Sequence, residues 1–443
     1  MDLLQRIYSY LLTLTFKTIA TLYSFLIVRS AVVLFLLPAY VALQGLFSIP
    51  VLLQNLPKAL SSAGREHFVD ACDEYRESEK ALARKQLVGS FRFSRSKLLQ
   101  ADLGHCPLKL PTEVIEVCGA RVNVFHGVPS GEEKTLSSSS PAGPVILLHG
   151  NPSWSWMWRD IMPRLLHQGR EVYAIDWIGH GYSDKPCDPS DITFELHVHT
   201  LSKVLKQLNV CNGTIVAHDW GGCIALCTVP SLSPTIVSRL VLLNTFFPPR
   251  PYDISVRSYL LYLSWFLSTG ILDGLLPEEL VMRFMAPEIT PADAAGFAAP
   301  FARTGAKGKA SIARFAHIVP ALPDAVLGAA RLSRAWRLAE GVLGPRRLTN
   351  VNAQARLARR GEQIRNFWRE VPAGWAALRV KIVFGRQDPL LADFKDVLER
   401  GISERVRDGG GVWIEGAGHY PGEEQPAEVA RWILAVTDEG DGP

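Results

Sequence analysis

Four short stretches of the 443-residue chain carry side chains whose types and spacing suit covalent chemistry. In GTIVAHDWGGCIAL, residues 213–226, an apolar run ends at Asp219 and a helix-compatible run resumes past two glycines. Ala217 and Gly221, both small, stand two positions either side of Asp219, the spacing of a nucleophile elbow. A turn of that kind exposes its central side chain and aims backbone N–H groups at it. The ordinary alternative is an aspartate capping a helix start, and the other three stretches weigh against it. HGNPSWSWMWR, residues 149–159, follows an apolar strand, so the amide of Asn151 points over the strand ends. With the amide of Trp220 it would form an oxyanion hole. His419 in EGAGHYPGEEQP lies on a glycine-flanked loop after the last strand, where a base belongs. Asp388 in FGRQDPLL ends the strand before it and would hold the imidazole in one tautomer.

A carboxylate at the elbow changes the reaction that a serine there would run. Asp219 is ionised at neutral pH and needs no base to attack carbon. Displacing a leaving group from a saturated carbon puts a covalent ester on it. His419 then deprotonates a water that attacks the ester carbonyl, and the oxyanion hole holds the transient charge. A serine suits acyl transfer, whereas an aspartate suits alkyl transfer, so alkyl halides and epoxides are the expected substrates. His149 is read as a structural tie, and Trp154, Trp156 and Trp158 as wall and packing.

The elements that must hold these residues follow a regular order. TEVIEVCGARVNVFHGV, from 112, reads as two strands around a Cys-Gly-Ala turn. Strands at 145–150, 171–176, 214–219 and 239–245 alternate with a helical stretch that follows 150 and runs to about 168, a helix at about 193–208 and one from 221. The alternation stops at 246 and resumes with strands at 380–388 and 411–419 and a closing helix near 424–437. That order predicts an α/β fold: a mostly parallel sheet with helices on both faces and an inserted helical cap above the strands' carboxyl ends. The expected division is 1–57 as membrane-anchoring segments, 58–111 as a connector, 112–245 as the first part of the core. Residues 246–372 form the cap, enlarged over 335–365, and 373–443 the second part of the core.

With the motifs LLHGNPSWSWMWRDIMP, AIDWIGHGYSDKP, VAHDWGG, GRQDPLL and GAGHYPGEEQP, residues 112–437 resemble the haloalkane dehalogenases of the α/β-hydrolase superfamily. The resemblance implies Asp219 as nucleophile, His419 as base and Asp388 as the triad acid. Some members carry the acid after the strand before the cap; here that strand ends in Asn244 and Thr245, so Asp388 must serve. It also implies a halide site made by the Trp220 indole N–H and the Asn151 side-chain amide. No cofactor and no metal are called for.

The nearest alternative is an epoxide hydrolase, with the same triad but an acidic donor in the cap, usually a pair of tyrosines, for the departing alkoxide. The cap offers Tyr252, Tyr259 and Tyr262, all at its start, and Phe297 in the later matching stretch. A non-catalytic, membrane-tethered binding protein on a hydrolase scaffold is the third reading. Phosphatase chemistry lacks its metal and phosphate-binding elements, and a serine esterase lacks its serine.

Composition adds a location. Nearly half the residues are apolar and mean hydropathy is +0.10, because in residues 1–57 only Asp2, Arg6, Lys17 and Arg29 are charged. The uncharged stretch between Arg29 and Lys58 is long enough to cross a hydrocarbon core of about 30 Å. A membrane anchor with the catalytic domain facing the cytoplasm is expected, from the basic residues that follow. The formal charge of +4 is modest and no nucleic-acid motif is present. The seven cysteines show no metal spacing, and Cys223 and Cys227, one helical turn apart, read as helix packing.

Overall fold

The computed structural model describes residues 92–129, 143–248, 278–316 and 361–438, with isolated positions 255, 258, 261, 262, 265, 269 and 318. The expected anchor at 1–57, most of the connector and the enlarged part of the cap lie outside the described residues. Among the described residues no helix is long and apolar enough to cross a membrane.

Among the described residues ten strands are formed: β1 (Leu98–Leu99), β2 (Thr112–Val117), β3 (Ala120–Gly127), β4 (Val145–Leu148), β5 (Val172–Ile175), β6 (Lys185–Pro186), β7 (Gly213–Asp219), β8 (Val237–Thr245), β9 (Arg379–Gly385) and β10 (Val412–Ile414). Eight of them make one sheet in the order β10-β9-β8-β7-β4-β5-β3-β2. From β10 to β5 every pair is parallel, and β3 and β2 add an antiparallel hairpin at the edge. β4, β7 and β8 are buried along their whole length. A strand covered by helices on both faces can be apolar at every position, which is why these segments read as continuous Val, Ile and Leu runs. The β2–β3 turn uses Cys118 and Gly119, both at positive φ (52° and 81°). That is the backbone a tight two-residue hairpin requires.

Helices Phe194–Gln207 and Trp220–Thr228 fall where the apolar spacing predicted them. Thr193 caps the first of these by accepting from the Leu196 N–H. The two sides of the sheet carry separate cores. One centres on Trp220, Ile224, Trp368 and Phe384, the other on Trp154, Trp158, Tyr420 and Ile433.

The connector is less separate than its composition indicates. Leu98–Leu99 pairs antiparallel with Lys185–Pro186, and Phe93, Leu98, Cys106 and Leu108 are buried. Residues 92–111 therefore belong to the body of the fold. Cys223 and Cys227 are free thiols, both buried on one helix.

Helices of the inserted segment among the described residues include Glu278–Met285, Pro291–Ala298 and Ala310–Phe315, and residues 361–369 are helical as well. The tryptophan-rich loop attaches Pro291–Ala298. The Trp154 indole donates to Gly296 O (3.1 Å) and that of Trp156 to Asp293 O (2.9 Å). Arg159 reaches Asp293 Oδ1 at 3.1 Å and forks onto both oxygens of Glu423 at 2.7 Å. A helix anchored by indole N–H groups, rather than by apolar contact alone, has a defined height above the sheet.

Candidate active site

Asp219 ends β7 with φ 51° and ψ −120°, a backbone region costing about 1–3 kcal/mol for a non-glycine residue. The sharp reversal brings strand and helix close. A Cβ on Gly221 would sit 2.6 Å from the carbonyl oxygen of Leu148, so only glycine fits. Ala217 stands inside β7, wholly buried, and its methyl is accommodated. Thr245 Oγ1 donates to the Asp219 carbonyl at 2.6 Å, holding the turn from the neighbouring strand.

The elbow presents the Asp219 carboxylate to two backbone donors. The Asn151 N–H donates to Oδ1 at 3.0 Å, and the Trp220 N–H also bonds the carboxylate. His419 Nε2 lies 3.8 Å from Oδ2, too far for a direct hydrogen bond and wide enough for a bridging water. On its other side His419 Nδ1 is 2.9 Å from Asp388 Oδ2. Since the carboxylate accepts, Nδ1 carries the proton and Nε2 presents its lone pair toward Asp219. All three side chains are buried. The three residues read from sequence as nucleophile, acid and base thus meet in one cleft.

Electrostatics separates their behaviour. Burial pushes the Asp219 carboxyl upward, against the opposing pull of His419 and the two backbone N–H groups. Burial would also raise Asp388, but the His419 imidazole, the Asn244 amide and the Leu390 N–H together hold it below the usual carboxylate range. Burial would depress His419; Asp388 first, then Asp219, raises it above its ordinary value instead. The pair favours an imidazolium, as a proton-accepting base requires.

Asn244 carries more than the sequence showed. It was read as the absence of a carboxylate. Its Nδ2 donates to Asp388 Oδ2 at 2.7 Å and to Gly418 O at 3.2 Å, while its Oδ1 accepts from the Gly385 N–H at 2.9 Å. One amide thereby ties β8, β9 and the histidine loop together. His218, beside the nucleophile, bonds the His419 backbone carbonyl through Nε2 at 2.8 Å. Neither partnership has a signal in local spacing.

His149 is a structural tie, as read. Nδ1 donates to Gly150 O at 2.7 Å, Nε2 accepts from the Trp177 N–H, and burial lowers its pKa to about 4. Trp154 and Trp158 are wholly buried packing. Trp220 is walled by Phe246 and Phe315, both edge-on at ring centroids of 5.3 and 5.1 Å. Its indole N–H has no acceptor among the described residues. The Asn151 side chain is more engaged than the sequence indicates: Nδ2 donates to Ile312 O of the cap at 3.2 Å, and Oδ1 faces His180 Nε2 at 3.0 Å. One amide N–H of Asn151 remains for a ligand. Of the cap tyrosines, Tyr252 and Tyr259 lie outside the described residues. Tyr262 donates its hydroxyl to Ala316 O at 2.7 Å, and Phe297 is wholly buried. No group of three or more metal-ligating side chains occurs among the described residues.

A strand–turn–helix elbow at Asp219, a parallel sheet with Asp388 and His419 on loops past its strands, and an inserted helical segment define the α/β-hydrolase fold. The model of that fold family matches residues 143–279. The resemblance to haloalkane dehalogenases is also present in the comparisons. The chain is 41% identical over 113 residues to a haloalkane dehalogenase of Psychrobacter cryohalolentis, covering 26% of this chain and 37% of that protein. It is 32% identical over 181 residues to one of Mycobacterium marinum, covering 41% of this chain and 59% of the relative. The matches therefore span between about a third and three-fifths of these relatives' lengths. Among solved structures, a tetrameric haloalkane dehalogenase of Paraglaciecola agarilytica superposes with a TM-score of 0.58 at 21% identity, covering 76% of this chain and 98% of that one. At that identity the superposition speaks for the fold.

Proposed function

We propose that this chain is a hydrolase that removes halogen from saturated carbon through an alkyl ester on Asp219. The observation that carries the reading is the Asp219 carboxylate. It is buried, held at Oδ1 by the Asn151 N–H, and 3.8 Å at Oδ2 from an imidazole backed by a second carboxylate. Similarity to curated haloalkane dehalogenases supports the same reading.

The geometry suggests a division between the two oxygens. Oδ2, the oxygen on the His419 side, attacks the carbon that bears the halogen; the C–O bond forms as the carbon–halogen bond breaks and halide leaves with the electron pair. The Trp220 indole N–H and the remaining Asn151 amide N–H stabilise that anion in an aromatic, water-poor pocket. Oδ1 becomes the ester carbonyl oxygen, already bonded to the Asn151 N–H. Water between His419 and the ester loses a proton to Nε2 and attacks the carbonyl carbon. Oδ1 carries the negative charge in the tetrahedral intermediate; its collapse expels the alkyl oxygen, which takes the proton back from the imidazolium and leaves as alcohol, and the new acid loses its remaining proton to restore the carboxylate. Asp388 stabilises the imidazolium meanwhile. A substrate of small apolar character fits a site walled by Phe246, Phe315 and Trp220.

Halide is favoured over epoxide opening because the hydroxyl of Tyr262 is committed to the cap backbone and Phe297 offers no proton. Residues 1–57 tether the enzyme to a membrane, with the catalytic domain on the cytoplasmic side, on the strength of their composition. Retention of the full chain in a carbonate-washed membrane pellet supports this, and release of the full chain opposes it.

The decisive assay compares the parent chain with Asp219→Ala on 1-bromobutane and on styrene oxide. Halide release by the parent, abolished in the variant, supports dehalogenation. Diol without halide moves the assignment to epoxide opening, and silence on both substrates favours a binding protein.

A further inference from the structure

The amide of Asn151 is one of two groups assigned above to the leaving halide, so its orientation matters. Its oxygen and nitrogen are nearly equal in size, and rotation by half a turn would present lone pairs to an anion. Two neighbours bear on which end faces inward. Ile312 O can only accept, so the nitrogen end must face it at 3.2 Å. The oxygen end then faces His180 Nε2 at 3.0 Å, and that contact is favourable only when Nε2 carries the proton. Nδ1 then faces Ser311 Oγ at 3.4 Å, a hydroxyl that also donates to Ile178 O at 3.2 Å.

The two supports differ in kind. Ile312 and Ser311 belong to the cap helix Ala310–Phe315, so their hold on the amide depends on the cap being seated. His180 lies on the loop after β5, part of the sheet. That loop grips the cap closely: a Cβ on Gly179 would lie 2.1 Å from Ser311 Cβ. His180 is wholly buried, edge-on to Phe315 at 4.8 Å and 5.4 Å from the His149 ring. Burial above all keeps it neutral, against the opposing pull of the Ile178 carbonyl on its ring. A neutral imidazole has one N–H, for which Ile178 O and the Asn151 oxygen compete; the amide orientation that Ile312 O sets assigns it to Asn151.

We propose that His180 is a positioning residue for the halide site: its Nε2–H holds the Asn151 amide oxygen, so that an amide N–H faces the departing anion whether or not the cap is fully seated. The inference rests on the dehalogenation reading and on Asn151 as a halide donor. His180 touches neither substrate nor the reacting atoms; it acts through Asn151.

The test uses the full chain and three variants: His180→Phe, which keeps a ring without a donor, His180→Met, which keeps bulk without a ring, and His180→Gln, which restores an N–H. Bromide binding is read at equilibrium by quenching of tryptophan fluorescence, and turnover is read with 1-chloro-, 1-bromo- and 1-iodobutane. Phe and Met variants are expected to bind bromide about tenfold more weakly, the loss of one oriented hydrogen bond. Their kcat/KM should fall most for the chloride, whose anion leaves least readily and concentrates its charge. The Gln variant should recover most of both. A structural role alone would lower all three substrates equally and leave Gln no better than Met. That pattern, or bromide binding unchanged in a folded Phe or Met variant, overturns the inference while dehalogenation stands. A parent that neither binds bromide nor releases halide overturns the underlying reading and this one with it.

Discussion

Replacing Gly150 by alanine puts a carbon where the nucleophile stands. A Cβ at residue 150 would lie 2.4 Å from Asp219 Oδ1, 2.5 Å from its Cβ and 2.8 Å from its Cγ. Ordinary contact begins at 3.4 Å, so the carboxylate must retreat by about 1 Å or the loop must lift by as much. Either movement breaks the 3.0 Å bond from the Asn151 N–H to Oδ1. A misplacement of about 1 Å at a reacting group costs on the order of 100-fold in rate, about 2.7 kcal/mol of barrier at 1.36 kcal/mol per decade. Overpacking should also cost about 1–3 kcal/mol of stability.

Halide release from 1-bromobutane, with thermal melting in parallel, measures both. Gly374→Ala is the control, since its Cβ would meet only Pro234, at 3.8 Å. The expected outcome is a folded Gly150→Ala protein with kcat/KM down about 100-fold and the control unchanged. Turnover within threefold of the parent would refute the reasoning: the carboxylate would then work equally well from another position, and the oxyanion contact to Oδ1 would be incidental.

Three further outcomes follow from the same geometry. His419→Phe removes the base but leaves the attack intact, so intact-protein mass spectrometry after exposure to 1-bromobutane should find an alkyl adduct on Asp219; an unmodified protein that still releases no halide contradicts the two-step route. Asp388 opposes the lowering of the His419 pKa by burial, and ester hydrolysis, which needs the neutral imidazole, should fall on the acid side. Single-turnover kinetics against pH reads this, with ester accumulating at low pH, and a hydrolysis rate that does not fall with pH goes against it. Glu423→Gln takes the charge from a carboxylate that forks onto Arg159 at 2.7 Å, with the Glu423 carboxylate shielded from solvent and the Arg159 side chain 11% exposed. Urea unfolding should show a loss of about 3 kcal/mol, toward the lower end for a broken buried pair because Asp293 still holds Arg159, and an unchanged midpoint would mean the pair contributes nothing net.

Much of this protein is written locally. The burial of β4, β7 and β8 on both faces is readable as unbroken apolar runs, because a strand with helices on either side has no polar face to keep. The elbow is readable because strand, turn and helix occupy one short segment, with Ala217, Asp219 and Gly221 each doing a job set by neighbours a few residues away. Even the choice of Asp388 as acid follows from what stands at 244. The partnerships that tune the site are another matter. Asn244 reaches Asp388 across 144 positions, the Asn151 amide reaches Ile312 across 161, and His180 meets Asn151 from a loop with no motif of its own. A hydrogen bond depends on which groups share a cleft and where their lone pairs point, and chain spacing carries neither. Composition could therefore nominate Asp219, Asp388 and His419 as the reacting groups; only the packed sheet, with the cap helix lowered onto it, decided which side chains would aim them.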